Sequence, residues 1–351
     1  METQKESINI VVICKLFDQN VYDTIFPLTN SVRVNQIFVL RDSSAKPMNR
    51  VSYISSTLKP GFMRHLHRFY LSMSFKSESP VLYYGVYDFP HAIIAVATAF
   101  FRRKKSVFGF ISNPNYNRAG LKGLLLDFAY KKCSILTTPG SFSKSVFIKK
   151  GILEENIFII PNAIDTEYYQ STKEEKIYDL LFFARLSFEK HPELFIDLVK
   201  TLKKEYPGIK AAIAGTGPLS TSVSKTVEDS GLLENIVILG YIPDRELKNL
   251  YSKSKVYLMF SETEGQPRTA VEAMACGVPV ILSKAGDCED IVTEGIDGHI
   301  VSDYNDVYRY VNHVKTILFS GEYNKYSLAA RKKAESKYSY SALTKLSLIH
   351  I

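Results

Sequence analysis

The sequence predicts an α/β fold made of two Rossmann-like, doubly wound parallel-sheet domains. Its length, 351 residues, suggests two domains at roughly 150 residues each. Short apolar, β-branched runs alternate with segments of helical length, which is typical of strands buried on both faces of a parallel sheet and joined by crossover helices. A second series of such runs starts afresh after residue 176.

Six apolar runs predict the strands of the N-terminal domain: INIVVICK, VNQIFVLRD, PVLYYGVY, SVFGFIS, CSILTTP and NIFIIP. Five further runs predict the strands of the C-terminal domain: IYDLLFFARL, IKAAIAGTG, NIVILGYI, KVYLMF and VPVILSK. Apolar residues at helical spacing predict helices between these runs, for example at 191–205 and 245–253. Both halves therefore repeat the order strand, helix, strand.

The domain boundary is predicted from polarity. The stretch 165–176 follows a Pro-Asn turn signal and has no apolar period, so we interpret it as a linker. This leaves an N-terminal domain at 1–164 and a C-terminal domain at 177–330. The remaining residues, 331–351, continue an amphipathic pattern, and we predict a C-terminal helix that can pack back on the N-terminal domain.

The composition is that of an ordinary soluble globular protein, with 46% apolar and 23% charged residues and a mean hydropathy of −0.05. These values argue against disordered, collagen-like and membrane-spanning classes. The four cysteines are far apart and form no CxxC pair, which favours a reducing compartment and argues against a structural zinc site. The N-terminal residues lack the basic start and cleavage site of a secretory signal, so we expect a cytoplasmic protein.

The net charge of +8 is unevenly distributed along the chain. Residues 1–160 carry 21 Lys and Arg against 10 Asp and Glu, or +11, and the remaining residues carry 23 against 26, or −3. The cations at 102–105 and those at Arg64 and Arg68 lie beside apolar side chains, which favours an anionic membrane surface as a partner. No nucleic-acid-binding module accompanies the charge, so nucleic acid is not expected as a partner.

The densest motif is SETEGQPRTAVEAMACGVPVI, residues 261–281, which predicts a strand end, a tight loop, a helix and the next strand. Pro267 suits the first helical turn, and Gly265 lets the backbone approach a ligand closely. Free amides at the helix start would face the carboxyl end of the sheet and could hold a phosphate. The candidate binding residues are Glu264, Gly265, Gln266, Arg268, Thr269 and Glu272. The alternative is a surface loop with solvated glutamates.

A second motif, FARLSFEK at 183–190, directly follows a predicted strand. Arg185 could contact diphosphate oxygens bidentately, and Lys190 could act as a point charge. Alternatively, Arg185 pairs with a nearby carboxylate and Lys190 is a solvated residue at a helix start.

A third motif, AGTGP at 214–218, opens like a dinucleotide fingerprint but lacks the third glycine. We interpret Gly215 and Gly217 as a close turn at the ligand crevice rather than as a dinucleotide site.

Taken in order, the motifs PNAID, FARLSFEK, AGTGP, LGYIPDRELKNLY and EAMACGVPVI, with the spacing of Glu264 and Glu272, resemble those of the retaining glycosyltransferases of group 1, also called family 4. The resemblance covers the second half of the chain, whereas the first half matches only in its rhythm of strands and helices. It implies a GT-B fold, with a nucleoside diphosphate sugar bound by the C-terminal domain and the acceptor by the N-terminal domain.

The resemblance also implies roles for individual residues. Arg185 and Lys190 would hold the donor diphosphate, Glu272 would bind the ribose hydroxyls, and Glu264 would contact the transferred sugar. Tyr241 and Ile242 are similar to the stretch that contacts the nucleobase. We expect a UDP-sugar in preference to a GDP-sugar as the donor substrate, and no cofactor.

Fewer residues of the sequence can be assigned to acceptor binding. A histidine that this family often carries after an N-domain strand is not evident in FGFISNPN, residues 108–115. We therefore consider two candidates: Asn113 in this stretch, and His91 at another plausible strand-to-helix junction. A structural hydrogen bond is the favoured interpretation of His91. No Asp-x-Asp motif occurs, and we therefore expect no metal at the diphosphate.

The resemblance implies a retaining glycosyltransferase that acts on a glycan or lipid-linked acceptor in bacterial surface polysaccharide assembly. With the missing Asp-x-Asp motif and the basic N-terminal half, we expect it to be metal-independent and peripheral on the inner face of the plasma membrane. Two alternatives remain at this point: a GT-B-fold sugar-nucleotide epimerase and a non-catalytic nucleotide-sugar-binding subunit.

Overall fold

The computed structural model describes residues 7–14, 18–43, 46–55, 61–86, 88–111, 114, 120–172 and 174–350. The chain divides into two compact units. Unit 1 comprises residues 1–163 and 340–351, and unit 2 comprises residues 164–339.

Unit 1 is built on a parallel sheet. Its strands are β1 (Ile8–Ile13), β2 (Val34–Arg41), β3 (Val51–Ser55), β4 (Val81–Val86), β5 (Lys105–Gly109), β6 (Ile135–Thr138) and β7 (Ile157–Ile159). They pair in the order β3-β2-β1-β4-β5-β6-β7. The helices are α1 (Asp18–Thr29), α2 (Gly61–Ser74), α3 (Ile93–Arg102), α4 (Leu121–Lys132) and α5 (Ser141–Lys149).

Strand β1 shows why the apolar runs form a doubly covered sheet. Ile10 and Val12 enter the core on one face, and Val11 and Ile13 enter the core on the other. Because side chains alternate between faces along a strand, a continuous Ile and Val run is buried only when helices cover both faces. This is the fold class that the sequence predicts.

Unit 2 contains a second parallel sheet. Its strands are β8 (Tyr178–Phe183), β9 (Ala211–Ala214), β10 (Ile236–Gly240), β11 (Ser254–Met259), β12 (Val280–Ser283) and β13 (Gly298–Val301), in the order β10-β9-β8-β11-β12-β13. Its helices are α6 (Pro192–Lys203), α7 (Ser220–Asp229), α8 (Asp244–Ser252), α9 (Arg268–Ala275), α10 (Val307–Phe319) and α11 (Tyr323–Lys333). The strand order reverses between β8 and β11, which makes this point the topological switch of the sheet.

Two strands differ from the sequence prediction, which did not include β3 and β13. Both are edge strands of their sheets. The residues VSYIS of β3 are mostly half-buried, and GHIV of β13 contains a glycine and a histidine. Neither has the continuous apolar run on which the prediction relied. The side chains of β3 are only partly covered at the edge of the sheet, whereas β13 is largely buried but contains Gly298 and His299.

The predicted linker at 165–176 is wrong, because its described residues belong to unit 2. Tyr169 is buried in the core of that unit, and the backbone carbonyl of Tyr169 accepts a hydrogen bond of 2.6 Å from Arg331. The amide of Thr172 donates to Ser252 Oγ at 3.0 Å, and Lys176 donates to the carbonyl of Ser254 at 2.8 Å. Tyrosine and lysine count as polar in a sequence pattern although both bury much apolar surface.

The prediction of one C-terminal helix at 331–351 is also corrected. Helix α11 ends at Lys333, a single turn covers Ala334–Tyr338, and Ser339 is extended before α12 (Tyr340–His350) begins. The extended backbone at Ser339 interrupts the helical pattern. Residues up to Ser339 belong to unit 2, whereas α12 packs against α1 in unit 1, where Thr344 Oγ1 donates to the carbonyl of Pro27 at 3.1 Å.

No helix in the described part of the chain is both long enough and apolar enough to cross a membrane.

Candidate functional site

The predicted donor residues lie at the topological switch of unit 2. Strands β8 and β11 are neighbours in the sheet, and their carboxyl ends lead into the connections that carry Arg185 with Lys190 and Glu264 respectively. Because the strand order reverses here, the connections run in opposite directions and leave a crevice between them. The structure thus brings together residues that lie about 80 positions apart in the chain.

Backbone hydrogen bonds join the loops around this crevice. The amide of Glu262 donates to the carbonyl of Glu189 at 3.0 Å, which connects the loops after β11 and β8. The amide of Leu186 donates to the carbonyl of Thr216 at 3.1 Å, which connects the loops after β8 and β9. These loops therefore form one supported framework for their side chains.

Gly215 and Gly217 are required by close backbone contact. A Cβ at Gly215 would lie 1.9 Å from the carbonyl oxygen of Ala184, and a Cβ at Gly217 would lie 2.3 Å from that of Leu186. Gly215 also has a φ of +115°, a region that L-residues rarely adopt. The two glycines let the AGTGP turn pack directly beneath the backbone of Arg185, as the interpretation of a close turn predicts.

The side chains of Lys190 and Glu264 meet in the crevice. Lys190 Nζ donates to Glu264 Oε1, and both side chains are largely buried. Arg185 is exposed. It makes no ion pair in the part of the chain that the structure describes. The Lys190–Glu264 ion pair was not predicted from the sequence. It holds the ammonium group and the carboxylate next to each other in the crevice.

The loop that carries Glu264 is supported from β12. Gly286 has a φ of +54°, and a Cβ there would lie 2.1 Å from the carbonyl oxygen of Glu264. The amide of Asp287 donates to the carbonyl of Gly265 at 2.9 Å. The tight loop of the ETEG segment is therefore fixed by a second glycine turn in the next connection.

Glu272 lies inside α9 and is buried, with 3% of its surface exposed. Its Oε1 accepts from Arg268 Nε at 2.7 Å, and its Oε2 accepts from the hydroxyl of Tyr251 at 3.0 Å. Burial raises the pKa of Glu272, and the guanidinium of Arg268 opposes this rise. Glu264 and Glu272 thus differ in depth, as predicted: the first lies in the loop and the second lies within the helix.

The sequence analysis missed the tyrosines around Glu272. Tyr251 on α8 is fully buried and donates to the carboxylate, and the Tyr169 hydroxyl also hydrogen-bonds to it. Tyr251 could have been found, because it occupies the apolar face of α8 with Leu247 and Leu250. Tyr169 could not, since it lies in the segment taken for a linker.

The start of α9 differs by one residue from the prediction. The helix begins at Arg268, so Pro267 precedes its first turn instead of forming part of it. The side chain of Gln266 is buried, and Thr269 Oγ1 lies 2.8 Å from the hydroxyl of Tyr257 on β11. The first amides of α9 can still bind an anion, because no preceding helical turn supplies carbonyl groups that accept their hydrogen bonds.

The predicted nucleobase-contacting residues follow β10, the edge strand. Tyr241 is 71% exposed, whereas Ile242 packs partly against the core of unit 2. The carbonyl of Gly240 accepts from the amide of Gly215 at 2.7 Å, which ties this segment to the glycine turn. Contact of Tyr241 and Ile242 with a base stays a prediction.

On the predicted acceptor side, His91 follows β4 in unit 1, beside the reversal of strand order between β1 and β4. It is buried, and its Nε2 lies 2.7 Å from Arg68 Nη1. Arg68 is itself fully buried and pairs with Asp42. This arrangement agrees with the structural interpretation of His91. Asn113 lies outside the described residues.

One group of metal-ligating side chains occurs among the residues that the structure describes. Atoms of Glu294, His299 and His313 lie within 4.8 Å of one another. His299 Nδ1 is 2.6 Å from Glu294 Oε1, and His299 Nε2 is 3.1 Å from the hydroxyl of Tyr326. None of the predicted donor residues belongs to this group. Metal independence of the donor site stays a prediction.

Comparison with known proteins bears on the unit that carries this site. Residues 164–334 match the family described as glycosyl transferases group 1. This region coincides almost completely with unit 2 and contains every residue predicted to bind the donor.

Two curated relatives illustrate the match. The chain is 30% identical over 144 residues to the Vi polysaccharide biosynthesis protein VipC/TviE of Salmonella typhi, covering 41% of this chain and 24% of that protein. It is 27% identical over 173 residues to spore coat protein SA of Bacillus subtilis, covering 46% and 45% of the two chains. The match therefore spans less than half the length of these relatives.

Solved structures extend the similarity of fold to nearly the whole chain. Anabaena Alr3699/HepE in complex with UDP has a TM-score of 0.77 at 16% identity, covering 97% of this chain and 98% of that one. The lipopolysaccharide outer core galactosyltransferase WaaB has a TM-score of 0.73 at 16% identity, covering 98% and 99%. The fold is therefore that of the GT-B glycosyltransferases.

Proposed function

We propose that this protein is a glycosyltransferase that moves a sugar from a nucleoside diphosphate sugar to an acceptor hydroxyl. The observation that carries the proposal is the cluster at the switch point of unit 2, where Arg185, Lys190 and Glu264 lie on loops joined by backbone hydrogen bonds. A crevice at such a point is where open α/β sheets bind nucleotides. The match of this unit to glycosyl transferases group 1 supports the same function.

The donor diphosphate would bind between the exposed guanidinium of Arg185, the ammonium of Lys190 and the first amides of α9, which include those of Arg268 and Thr269. Cations and oriented amides stabilise the negative charge that develops as a diphosphate leaves. Glu272 would accept hydrogen bonds from the ribose hydroxyls, and Glu264 would contact hydroxyls of the transferred sugar. In this proposal, neither binding of the diphosphate nor binding of the sugar hydroxyls requires a metal ion.

The reaction would proceed with retention of configuration by front-face substitution. The bond between the anomeric carbon and the phosphate oxygen breaks, and the acceptor oxygen bonds to the same face of that carbon. The departing phosphate oxygen takes the proton of the acceptor hydroxyl. The charges balance without a side-chain nucleophile, because the diphosphate leaves with its electron pair and gains the proton.

We favour a UDP-sugar as the donor and a glycan or lipid-linked acceptor of bacterial surface polysaccharide assembly. Structures of the similar protein HepE contain UDP, UDP with glucose, or UDP-glucose. The relatives named above include a polysaccharide biosynthesis protein, which supports the proposed pathway class. We further propose that the protein works at an anionic membrane surface, because residues 1–160 carry a net charge of +11.

The decisive experiment incubates the purified protein with a panel of UDP-, GDP- and ADP-sugars, with and without candidate acceptors. A glycosyltransferase releases nucleotide in proportion to the acceptor added. Conversion of the sugar without nucleotide release would identify an epimerase instead. Binding of a nucleotide sugar, seen as a rise in melting temperature without turnover, would identify a non-catalytic subunit.

A further inference from the structure

Helix α4 of unit 1 has apolar residues on both of its faces. Leu126, Ala129 and Tyr130 are buried in the core of the unit. On the opposite side, Leu121 and Leu124 are 73% and 69% exposed, and Leu125 and Phe128 are exposed too. Leu124, Leu125 and Phe128 lie three, four and seven positions after Leu121, so the four residues form one continuous stripe along the helix. A helix that only covers a sheet would carry polar residues there.

The exposed stripe continues onto α3 through aromatic contacts. The ring centroids of Phe100 and Phe128 are 6.1 Å apart, and those of Phe100 and Phe101 are 5.6 Å apart. Phe100 and Phe101 are 51% and 65% exposed. We call these six residues the docking face: Phe100, Phe101, Leu121, Leu124, Leu125 and Phe128. A contiguous exposed apolar surface of this kind marks a binding surface in a soluble domain.

Cations adjoin the docking face at one end. Arg103, Lys104 and Lys105 follow α3, and Lys131 and Lys132 end α4; all five are exposed. The two segments lead into the neighbouring strands β5 and β6, and the amide of Ser134 donates to the carbonyl of Ser106 at 3.1 Å. We call these five residues the basic rim. Asp127 is the one acidic residue within α4.

The basic rim differs from the cluster that the sequence suggested. Arg102 is not available to a partner, because its Nη1 donates to the hydroxyl of Tyr83 at 2.6 Å and to the carbonyl of Ser72 at 3.1 Å. On α2, Arg64 and Arg68 both pair with Asp42. Of the cations that the sequence suggested, the exposed ones that the basic rim retains are Arg103, Lys104 and Lys105.

We propose that the docking face inserts into the headgroup region of an anionic bilayer while the basic rim contacts the lipid phosphates. Transfer of Leu and Phe side chains from water to the acyl boundary is favourable, and each cation near an anionic surface adds electrostatic attraction. A second copy of the chain is a poorer occupant, because a twofold contact pairs this surface with itself. The surface carries the five cations of the basic rim, and Asp127 is the one acidic residue within α4. The proposal rests on the membrane location proposed above and names the surface that creates it.

The absence of tryptophan from the chain allows a direct test. The variant Leu124→Trp places a single indole on the docking face, and Leu328→Trp places one at a position 73% exposed on α11 of unit 2. Each variant is mixed with vesicles of phosphatidylcholine alone or with phosphatidylglycerol. We expect the fluorescence of Leu124→Trp to shift to the blue only with phosphatidylglycerol vesicles, and that of Leu328→Trp to stay unchanged. No shift at either position, or an equal shift at both, would overturn the proposal.

Sedimentation with the same vesicles measures the energetics. The double variant Leu124→Glu with Phe128→Glu should reduce vesicle binding about tenfold or more, whereas the matched variant Leu328→Glu should not. Replacement of Arg103, Lys104 and Lys105 by glutamine should weaken binding and flatten its salt dependence. If the double variant binds vesicles as well as the wild-type protein does, another surface contacts the membrane and the proposed role of the docking face is refuted.

Two further readouts separate this inference from its alternatives. A concentration-dependent change in sedimentation velocity that Leu124→Glu abolishes, without vesicles, would show that the face joins two copies and would overturn the lipid assignment. Nucleotide release with a water-soluble acceptor tests the glycosyltransferase independently. Intact turnover with failed insertion would refute only the docking face, and insertion without turnover would refute only the proposed catalysis.

Discussion

Lys190 and Glu264 form an ion pair between the connections that follow β8 and β11, although 74 residues separate them in the sequence. The pair lies at the reversal of strand order and is largely shielded from water. An ammonium group in such a place is held by the carboxylate before any ligand arrives. A bound diphosphate would therefore share Lys190 with Glu264, and Arg185 would supply the unshared positive charge.

Replacement of Arg185 or Lys190 by alanine should lower kcat by roughly a hundredfold or more, because the lost charge acts most strongly as the diphosphate leaves. The control is Lys225→Ala, which removes an exposed cation from α7. Steady-state kinetics with the preferred nucleotide sugar measure the effect, and circular dichroism verifies the fold. Activity within about threefold of the wild type would refute the proposed roles.

Replacement of Glu272 and replacement of Glu264 should have different kinetic effects. Glu272→Gln keeps the size of the side chain but weakens its hydrogen bonds to ribose, so it should raise the donor KM more than Glu264→Gln does. Glu264→Gln should mainly lower kcat, since it breaks the ion pair with Lys190. Glu262→Gln, two residues away and with 60% of its side chain exposed, is the control. The reverse order of KM effects would mean that the two roles are exchanged.

The close packing of the AGTGP turn against the Arg185 loop can be tested separately from the charged side chains. Gly217→Ala would push a Cβ to 2.3 Å from the carbonyl oxygen of Leu186, so the AGTGP turn or the Arg185 loop must move. We expect a loss of more than about 2 kcal/mol in the free energy of unfolding and weaker donor binding. Gly208→Ala, which meets no atom within 4 Å, should leave both unchanged. Equal melting temperatures for the two variants would contradict the close contact.

The sequence analysis predicted the sheets and the loops of the candidate donor site for one physical reason. Buried parallel strands need continuous apolar runs, and the loops at their carboxyl ends carry charged residues and glycines in a fixed order. The edge strands β3 and β13 have no such run and were missed. Tyr169 was missed because the polarity of its segment suggested a linker. The contacts of Arg102 were missed because hydrogen bonds to distant backbone carbonyls cannot be recognised from a sequence pattern.

The approach of Lys190 to Glu264 could not be predicted either. Motif order showed that both residues follow strands, but it did not show that these strands are neighbours. Strand order depends on long-range pairing, which a local pattern does not contain. The same holds for Glu272. Its position in a helix, four residues after Arg268, followed from the sequence, whereas its contact with Tyr251 required the packing of α8 against α9.

A pH effect is expected at the edge of the second sheet, where the rings of His299 and His313 stack with centroids 4.0 Å apart. Burial lowers the pKa of His313 from 6.5 to about 4, and His299 adds to this decrease, while Glu294 and Asp306 oppose it. Between these two values the unfolded chain binds a proton that the folded chain does not. The contribution of His313 to stability is therefore complete above pH 6.5 and is lost as the pH falls towards 4.

The variant His313→Phe keeps an aromatic ring for stacking but cannot titrate. Relative to this variant, the wild-type protein should lose about 1–2 kcal/mol of stability between pH 6.5 and 4, after allowance for solvent screening of a half-buried ring. The melting temperatures of both proteins are measured across this range, so that carboxylates that titrate in both cancel in the difference. Unfolding of unit 2 is the relevant transition, because all of these residues belong to it. A difference in melting temperature that stays constant with pH would show that His313 does not lose its proton affinity on folding.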